Sequence, residues 1–456
     1  MDRRGFIAGS GAVLLNGGLY TANNSAPSAE PDDVITAAYY FGNFHVDPRN
    51  EEAHGVGWTE WNLVKAATPR FPGHDQPKVP QWGYGDESRP EVFEKKIAAA
   101  RQHGVDALLF DWYWYEDGPF LNGALYNGYL KAANVKDVRF ALMWANHDWI
   151  DMHPAKMQSP GKIQFHGGIS RKAFDTMCER VVELFQQPSY LKLNGKPYFS
   201  IYELFRFVEG IGGLKQAVEA LDAFREKARA AGFPSIHINA VTWGVKLLPG
   251  EAQVTNLPQL LRELAIDSAT SYVWIHHAQL AHTATTEYGD VRHKYETYRD
   301  GASADLGCMY FPNVTVGWDA TPRTCQTDNF RVGGYPFTSV VVNNSPQAFE
   351  EALRSARQFA LGRLPPGNRL VTLNSWNEWT EGSYLEPDTE HGSAYLEVIH
   401  SVFKSSSKRT EAGNREVAGP EAPSKYRKVG MSANVKPERI DVSQNTVFGE
   451  LQLIRC

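Results

Sequence analysis

Several short motifs that mark common enzyme classes do not occur in the sequence. No glycine-rich dinucleotide fingerprint follows the first strand-like segment, and no G-x-S-x-G turn is present to expose a nucleophilic serine. The histidines form no HxH or HExxH pair, and the run WIHHAQLAH, with His276, His277 and His282, matches no standard zinc spacing. We therefore expect no catalytic metal and no Rossmann-type dinucleotide site.

Cysteine is also scarce. The four cysteines, Cys178, Cys308, Cys325 and Cys456, are too far apart for a CxxC metal or redox motif. None stands at a position that indicates a thiol nucleophile. Four cysteines permit three pairings, and the spacing leaves open whether any disulfide forms.

The chain lacks both a strong charge bias and long apolar runs. It has 46 basic and 52 acidic residues, a net charge of −6, with no basic stripe carrying interleaved aromatics. This argues against nucleic acid as a partner. The weakly apolar run near the N-terminus is too short and too rich in glycine to span a bilayer, so we expect no stable membrane span.

That N-terminal run nevertheless has a specific pattern. Arg3 and Arg4 precede a stretch rich in Gly and Ala that extends to about Ala22, which is typical of a twin-arginine export signal. We interpret residues 1–33 as an export signal and linker, and predict a periplasmic or extracellular protein. A disordered tail or a short membrane anchor is the alternative.

Aromatic residues, in contrast, are abundant. They make up 12% of the chain, including 12 Trp and 20 Tyr, within an apolar fraction of 42% that is sufficient for a large core. Aromatic faces pack in cores, but they also line sites for sugars and other flat ligands.

Strand-like and helix-like segments alternate along the chain. The strand candidates are Val34–Phe44, Val105–Tyr115, Val138–Asn146, Lys196–Glu203, Ser235–Trp243, Ala265–Trp274, Gly307–Trp318 and Arg369–Trp379. Apolar spacings of three and four predict helices over Glu91–His103, Arg171–Phe185, Leu214–Ala231, Leu257–Leu264, Tyr288–Arg299 and Pro346–Leu361. Eight strands with intervening helices predict an α/β fold, a (β/α)8 TIM-type barrel. An open doubly wound sheet is the competing topology.

We assign residues 34–404 to this barrel as a catalytic domain. The connection after the first strand, from about His45 to Pro90, is long. A barrel places its active site at the C-terminal ends of its strands, so we expect this loop to fold over that face. After about Lys404 the chain is polar and contains Pro and Gly, so residues 405–456 are interpreted as a linker and C-terminal tail.

Polar and aromatic residues gather at the predicted strand ends and in the first loop. Sugars bind such a lining, with rings against their C–H faces and polar groups on their hydroxyls. A phosphate site would instead show glycine-rich loops with lysine or arginine, and Arg323 is the exception here. The candidate substrate-binding residues are Tyr40, His45, Trp58, Glu60, Trp61, Asp111, Trp112, Trp144, Asn146, His147, Tyr202, Glu203, Trp243, Tyr272, Trp318, Asp319, Arg323, Trp376, Asn377 and Glu386.

Several of these residues also have a purely structural interpretation. Asp111 could cap a helix or hold a loop, and residues 146–148 could form a turn with side chains bonded to the backbone. Glu203 could be the partner in a buried ion pair. Glu386 could bind substrate or hold the loop in which it lies, and the aromatic residues taken singly could belong to the core.

The stretch NSWNEWTEGSYLEPD, residues 374–388, follows the eighth strand candidate and contains the candidate catalytic pair, Glu378 and Glu381. On a helical turn, residues three apart share a face, with Cβ atoms roughly 5–6 Å apart. Retaining glycosidases hold their two carboxyl groups about 5–5.5 Å apart and inverting ones roughly 6.5–9.5 Å apart, so a helical turn favours retention. The alternative is a solvated helix start whose acidic residues face the helix dipole.

This stretch resembles the end-of-barrel motif of WbsX-type proteins, relatives of glycoside hydrolase family 99, which contains endo-α-mannanases and endo-α-mannosidases. Three other stretches fit the WbsX-type pattern: GWTEWNLVKAATPRFPGHDQPKVP at 57–80, FDWYWY at 110–115 and WDATPR at 318–323. The resemblance extends from about Ala37 to about His400. It implies a (β/α)8 barrel that cleaves glycosidic bonds of a polysaccharide or oligosaccharide without a metal or organic cofactor.

The resemblance also implies a role for each glutamate. Glu381 is the general acid and base at the leaving oxygen. Glu378 is a base towards the sugar's own 2-hydroxyl, which attacks the anomeric carbon to form an epoxide-like intermediate, with net retention. Family 99 has histidine where Thr380 stands in this sequence.

Two further functions stay open at this point. Some WbsX-type proteins are described as lipopolysaccharide glycosyltransferases, so a transferase of polysaccharide assembly is one alternative. An export signal argues against it, because nucleotide sugars are cytoplasmic and an exported transferase would lack its donor. A non-catalytic glycan-binding barrel is the other alternative. The sequence does not indicate an oligomeric state.

Overall fold

The structure is a computed structural model. It describes residues 34–404 except residues 158, 160, 248–250 and 252–255. The expected export signal with its linker, residues 1–33, and the expected tail, residues 405–456, therefore lie outside the described residues.

Eight parallel strands form a closed ring. All eight strand candidates contribute one strand each, with shorter bounds than the sequence predicts, and the (β/α)8 barrel is confirmed. The strands are β1 (Ile35–Phe41), β2 (Ala107–Tyr115), β3 (Arg139–Trp144), β4 (Lys196–Ile201), β5 (His237–Val241), β6 (Ser268–Thr270), β7 (Met309–Phe311 and Asn313–Thr315) and β8 (Leu370–Asn374).

The ring closes at β7, which a proline divides into two segments. Met309–Phe311 pairs with β6, whereas Asn313–Thr315 pairs with β8, and β8 also pairs with β1. Pro312 between the segments has no N–H to donate, and its carbonyl accepts a hydrogen bond from the Thr372 N–H at 2.9 Å. One strand thus changes neighbour and completes a barrel, which rules out the open sheet.

Helices surround the ring and follow its strands. The described helices are α1 (Pro48–His54), α2 (Trp61–Ala66), α3 (Pro90–His103), α4 (Arg171–Phe185), α5 (Leu204–Ile211), α6 (Leu214–Ala230), α7 (Leu257–Glu263), α8 (Tyr288–Leu306), α9 (Pro346–Arg363) and α10 (Ala394–Phe403). All six predicted helices are present. Helix α8 continues past Arg299 because its stop is Gly307, which takes the left-handed conformation at φ 70°. Within the described part of the chain, no helix combines the length and apolarity needed to cross a membrane.

Short strands and helical turns lie in the connections. The strands are Gly118–Phe120, Trp149–Ile150, Ile163–Phe165, Lys192–Leu193, Thr285–Glu287, Val340–Val342, Asn377–Glu378 and Ser383–Tyr384. The turns are Ala124–Gly128, Tyr129–Lys131, Trp274–His276, Thr321–Arg323 and Trp379–Glu381. All except Lys192–Leu193 lie in connections that follow the carboxyl end of a barrel strand.

The long connection between β1 and α3 is anchored to the barrel rather than structureless. It contains α1 and α2, and it meets the segment after β8, where Pro80 forms an isolated β-bridge with Asp388. The Gln81 N–H donates to the Pro387 carbonyl at 2.8 Å. The loop therefore lies at the C-terminal face, beside the residues that follow the last strand.

Outside the ring, aromatic side chains join helices to strands. Phe224 on α6 is 1% exposed. Its ring centroid lies 5.4 Å from that of Phe199 on β4, 6.0 Å from Phe185 and 6.2 Å from Phe174, both on α4. Phe224 thus fills the contact among two helices and one strand.

Removal of the Phe224 phenyl group tests the packing. Phe224→Ala should lower the free energy of unfolding by about 3–5 kcal/mol, because it leaves a cavity that its neighbours cannot fill. Urea unfolding followed by circular dichroism measures the loss. Phe205→Ala is the control, because Phe205 on α5 is 39% exposed. Equal losses in the two variants would contradict this packing.

Candidate active site

A cavity opens at the carboxyl ends of the barrel strands. The connection after β3 forms one wall, and the connections after β7 and β8 form the opposite wall. Acidic groups lie at its centre and aromatic rings around them. The functional face is therefore the one that the barrel fold favours.

Glu378 and Glu381 reach this cavity from a compact turn after β8. Two short antiparallel strands enclose the 3-10 turn Trp379–Glu381. Gly382 ends the turn at φ 62°, and a Cβ at this position would lie 2.7 Å from the Cβ of Asp319. The turn thus directs both glutamates into the cavity and requires glycine at its end.

One arginine joins the two glutamates. Arg323 donates from Nη2 to Oε2 of Glu378 at 3.1 Å and from Nη1 to Oε1 of Glu381. Nη1 also donates to the hydroxyl of Tyr335, which itself donates to Oε1 of Glu381 at 2.8 Å. Arg323 and both glutamates are buried, so solvent screens their charges weakly.

A third carboxylate, that of Glu60, faces the same guanidinium. Its Oε1 accepts from Nε and lies 2.8 Å from Nη2 of Arg323, and its Oε2 accepts from Nδ2 of Asn43 at 2.6 Å. Burial alone would raise the pKa of Glu60, but Arg323 lowers it below its ordinary value. Glu60 is therefore a charged partner that holds Arg323 in place.

Tyr272 connects Glu378 with a fourth carboxyl group. Its hydroxyl lies 2.9 Å from Oδ2 of Asp111 and 2.9 Å from Oε1 of Glu378. A tyrosine has one hydroxyl proton, so it cannot donate to two charged carboxylates at once. A proton on Asp111 or Glu378 resolves this geometry, and burial raises the pKa of both groups well above the usual range.

The electrostatics favour a proton held within the glutamate pair. Burial raises the pKa of Glu378, and the nearby carboxyl of Glu381 raises it further. Burial also raises the pKa of Glu381, although Arg323 and Tyr335 oppose the shift. Three carboxyl groups contact one guanidinium, and Asp111 joins them through Tyr272, so full ionisation would leave uncompensated buried charge. A carboxyl group that retains its proton is what a general acid requires.

Asp319 holds the loop that carries Arg323. Its Oδ2 lies 2.8 Å from Nε2 of His74, and its Oδ1 accepts from the Thr321 N–H at 3.0 Å. Nδ1 of His74 accepts from the Arg70 N–H at 3.0 Å, so Nε2 carries the ring proton. These bonds join the first loop to the connection after β7 and fix the position of Arg323.

An aromatic wall from the connection after β3 faces the acidic groups. The rings of Trp149 and His153 are stacked with centroids 5.4 Å apart, and both residues are buried. The indole N–H of Trp149 and Nδ1 of His153 have no hydrogen-bond partner among the described residues. Burial lowers the pKa of His153 to about 3, so its ring is neutral. Sugar hydroxyls could satisfy both atoms while the rings cover C–H faces.

Many of the predicted site residues meet in this cavity. Those that line it are Glu378, Glu381, Asp111, His147, Tyr202, Tyr272 and Arg323. Three others support them. Glu60 binds Arg323. Trp243 packs on Tyr202 with ring centroids 5.2 Å apart. The ring centroid of Trp58 lies 6.2 Å from that of His153.

Strand pleating turns other predicted residues away. Side chains alternate between the two faces of a strand, so Asp111 and Tyr113 of β2 line the cavity, while Trp112 between them stacks on Trp114 with centroids 5.4 Å apart. Trp144 of β3 likewise does not line it, and its indole N–H donates to the Trp114 carbonyl at 3.1 Å.

The remaining predicted residues support the framework. The side chain of Asn146 exchanges two 2.8 Å hydrogen bonds with the backbone of Glu203, whose carboxylate caps α5 by accepting from the Phe205 N–H at 3.0 Å. The others are buried outside the cavity lining: His45, Trp61, Trp318 and Asp319 in the surrounding loops, and Tyr40, Trp376, Asn377 and Glu386 in or behind the turn that carries Glu378 and Glu381.

Sequence reasoning missed part of the lining: Phe41, Tyr113, Met143, Ala145, Asp148, Trp149, Ile150, Met152, His153 and Tyr335. A signal existed for Trp149 and His153, because the run DWIDMHP continues directly past a predicted strand end. Tyr335 lies far along the connection after β7, and no local pattern places it beside Glu381. Its contact depends on how that long loop folds.

A group with metal-ligand chemistry lies away from the glutamate pair. Ligand atoms of Asp388, Glu390 and His391 lie within 4.8 Å of one another. The ammonium of Lys78 already contacts Oε2 of Glu390 at 2.8 Å. A lysine cation thus occupies the acidic side of this group, and none of its residues lines the cavity that contains Glu378 and Glu381.

Comparisons with known proteins identify the family. A sequence model of the family described as "Glycosyltransferase WbsX" matches residues 36–399. The chain belongs to the WbsX family. The "Uncharacterized protein WxcX" of two Xanthomonas campestris pv. campestris strains is 26% identical to it over 385 residues, covering 83% of this chain and 50% of the relative. The chain therefore spans about half the length of these curated relatives.

Solved structures show the same fold. The glycoside hydrolase family 99 endo-α-mannosidase of Bacteroides thetaiotaomicron matches with a TM-score of 0.51 at 15% identity, covering 84% of this chain and 99% of that chain. A structure described as "Glycoside hydrolase-like protein" gives a TM-score of 0.52 at 15% identity, covering 84% and 97%. The resemblance to WbsX-type and family 99-like proteins is confirmed, and the fold is that of the family 99 barrel.

Removing the charge of Glu378 should stabilise the fold at neutral pH. Because the pKa of Glu378 is raised by burial and by Glu381, the folded chain holds more protons than the unfolded chain between the two pKa values. The free energy of unfolding then falls as pH rises through that interval. We expect Glu378→Gln to raise Tm at pH 7 by about 2–4 °C and to change it little near pH 4.

Thermal unfolding of both proteins at the two pH values measures this effect. Glu390→Gln is the matched control, because Glu390 is exposed. The Tm of this variant should differ from that of the wild type by the same small amount at pH 4 and at pH 7. A Tm of Glu378→Gln that is lowered equally at pH 4 and pH 7 would contradict a raised pKa for this group.

Proposed function

We propose that this WbsX-family protein is a glycoside hydrolase that cleaves a polysaccharide or oligosaccharide with retention of anomeric configuration. One observation carries the proposal: Glu378 and Glu381 are buried together in the barrel mouth and bind the same guanidinium. Glycosidic cleavage with two carboxyl groups needs one to protonate the leaving oxygen while the other serves as base or nucleophile. The barrel shared with family 99 supports this assignment.

In the proposed first step, Glu378 accepts the proton of the sugar 2-hydroxyl as that oxygen attacks the anomeric carbon. Glu381 donates its proton to the departing glycosidic oxygen, and the glycosidic bond breaks as the three-membered ring closes. Water then attacks the anomeric carbon, whose bond to the 2-oxygen breaks, and gives a proton to Glu381, while Glu378 returns its proton to the 2-oxygen. Two inversions give retention, and the sum is the addition of one water across the bond.

This cycle requires the shared proton on Glu381 at the start. Arg323 and Tyr335 bind Glu381 and favour its charged form, whereas burial and the nearby carboxyl groups of Glu381 and Asp111 favour a proton at Glu378. Sugar binding must therefore move the proton between the glutamates. A 2-hydroxyl that donates to Glu378 stabilises its charged form and shifts the balance in that direction.

A glycosyltransferase of polysaccharide assembly is the second candidate, because the family is described by that name. A nucleotide-sugar donor brings a diphosphate, which proteins bind with cations and backbone N–H groups. Among the described lining residues, Arg323 is the one arginine or lysine, and three carboxylates already contact it. This cavity suits neutral hydroxyls better than a diphosphate.

We further propose that the protein is exported, on the basis of Arg3 and Arg4 in the N-terminal sequence. An exported hydrolase meets extracellular or periplasmic polysaccharide and needs no cytoplasmic donor. Fractionation of cells that produce the full chain, with an Arg3→Lys/Arg4→Lys variant for comparison, tests this. Equal retention of both proteins in the cytoplasm would refute export.

Substitution of the acid provides the kinetic test. Digestion of a glycan panel identifies the substrate. In proton NMR, the first product formed should have the same anomeric configuration as the substrate. On that substrate, Glu381→Gln should lower kcat by about two orders of magnitude or more, as expected for loss of a general acid. A glycoside with a good leaving group should recover much of the rate of Glu381→Gln, but not that of Glu378→Gln, because only Glu381 assists departure.

The control is Glu390→Gln, which removes an exposed carboxylate and should keep the wild-type rate. Near-normal activity in Glu381→Gln, or a product of inverted configuration, would refute the proposed roles. Calorimetric binding of a nucleotide sugar without glycan cleavage would favour the transferase. Glycan binding that survives in the double variant, with no turnover by the parent protein, would indicate a binding protein.

A further inference from the structure

A buried ion cluster lies behind the catalytic turn, outside the cavity lining. The ammonium of Lys96, on α3, donates to the Tyr40 hydroxyl at 2.8 Å and to Oε1 of Glu87 at 2.7 Å, and lies 2.7 Å from Oε1 of Glu386. These three acceptors match its three N–H donors. Lys96 is 4% exposed, and both glutamates are buried. We call Lys96, Glu87 and Glu386 the Lys96 cluster.

Glu386 holds the two tryptophans on either side of Glu378. Its Oε1 accepts from the indole N–H of Trp376 at 2.9 Å, and its Oε2 accepts from that of Trp379 at 2.8 Å. Each carboxylate oxygen thus binds one indole. The side chain of Glu386 therefore fixes the residue two positions before Glu378 and the residue directly after it.

Glu87 holds Asn377, the residue between Trp376 and Glu378. Its Oε1 accepts from Nδ2 of Asn377 at 2.8 Å and from the Tyr40 hydroxyl at 2.6 Å. Asn377 also binds both backbone groups of Phe41, through Oδ1 at 2.8 Å and Nδ2 at 2.7 Å. Two carboxylates that share one ammonium therefore hold three residues next to Glu378, and tie them to the end of β1.

We propose that Lys96 is a positioning residue for the catalytic turn. Its ammonium binds Glu87 and Glu386 and fixes them as hydrogen-bond acceptors, and these acceptors keep Glu378 and Glu381 in register with Arg323. The kinetic consequences rest on the proposed function, whereas the structural consequences for the turn do not.

Removal of the ammonium would leave two buried carboxylates without a cation. One of them would then bind a proton, because isolated buried charge is strongly unfavourable. A protonated Glu386 can no longer accept equally well through both oxygens, so one indole loses its partner. Since Trp376 and Trp379 lie on either side of Glu378 in the sequence, the turn would lose its fixed geometry although no residue that lines the cavity has been substituted.

Lys96→Met tests this, because methionine keeps much of the length of the side chain and removes the charge. On the substrate found for the wild type, kcat should fall by about 10²-fold, the size of effect known for small displacements of catalytic groups, while KM changes far less. The pH profile of kcat should also shift, because displacement of Glu378 and Glu381 relative to Arg323 changes their ionisation. Wild-type kcat and pH profile in Lys96→Met would overturn the proposal.

Two controls separate positioning from general loss of charge or stability. Lys95→Met removes an exposed lysine from the same helix and should keep the wild-type rate. Arg225→Met removes a buried cation on α6, which donates to the Leu264 carbonyl at 2.9 Å. It should lower Tm but leave kcat and its pH profile unchanged below the melting range. A loss of kcat in Arg225→Met equal to that in Lys96→Met would overturn the proposal.

An NMR measurement tests the cluster without any substrate. The protein has 12 tryptophans, and nitrogen-15 spectra of their indole groups report hydrogen bonds at each N–H. Trp376→Phe and Trp379→Phe assign the two relevant signals. In Lys96→Met the signal of Trp376 or of Trp379 should move. In Lys95→Met the signals of Trp376 and Trp379 should stay at their wild-type positions. Unmoved Trp376 and Trp379 signals in Lys96→Met would overturn the proposal.

The two readouts distinguish the failure of this inference from failure of the proposed function. A wild-type protein that cleaves no glycan would refute the hydrolase, while moved indole signals in Lys96→Met would still support the role of Lys96 in fixing the turn. The double variant Lys96→Met/Glu87→Gln restores the net charge of the cluster and keeps Glu386, the acceptor of both indole N–H groups. If a Trp376 or Trp379 signal in the double variant lies closer to its wild-type position than it does in Lys96→Met, electrostatic control of the turn is supported. A signal displaced further than in Lys96→Met would contradict it.

Discussion

The guanidinium of Arg323 lies among the carboxyl groups of Glu60, Glu378 and Glu381, and the chemistry of the cavity depends on this ratio of one cation to three acids. The charge of Glu60 alone balances that of Arg323, so the charges of Glu378 and Glu381 would be left without balance in this cluster. Burial then favours a proton on the pair, since a fully charged cluster would hold uncompensated charge in a site with little solvent. In the proposed mechanism, position alone distinguishes an acid and a base of one residue type.

The surrounding structure keeps this cluster in place from two sides. Asp319 joins the first loop to the connection that carries Arg323, and the Lys96 cluster joins α3 and the end of β1 to the turn that carries the glutamates. Neither group lines the cavity. The conspicuous motifs of the sequence, such as WDATPR and NSWNEWTEGSYLEPD, therefore combine residues that face the cavity with residues that hold their neighbours from behind. Glu386, the third glutamate of the second motif, belongs to the holding group.

The sequence predicts the barrel well, because eight apolar strand cores and the periodic helices between them are local patterns. It predicts the site in part. The choice between adjacent side chains depends on strand phase, so Asp111 lines the cavity while Trp112 and Trp144 do not. Long-range contacts leave no local pattern, and Tyr335 beside Glu381 and Lys96 behind the turn are accordingly absent from the sequence-based site. The sequence analysis places Glu378 and Glu381 on a helical turn, and in the structure residues 379–381 form a 3-10 turn.

The most direct test of this account is the ionisation of the glutamate pair itself. Carbon-13 NMR of protein labelled at the glutamate side-chain carboxyl carbons follows each group through a pH titration, and Glu378→Gln and Glu381→Gln assign the two signals. The account predicts that the pair titrates above the ordinary glutamate range, with a proton retained when the exposed glutamates are already charged. Ordinary titration of both Glu378 and Glu381, together with the exposed glutamates, would contradict the claim that this cavity holds a carboxylic acid ready to donate.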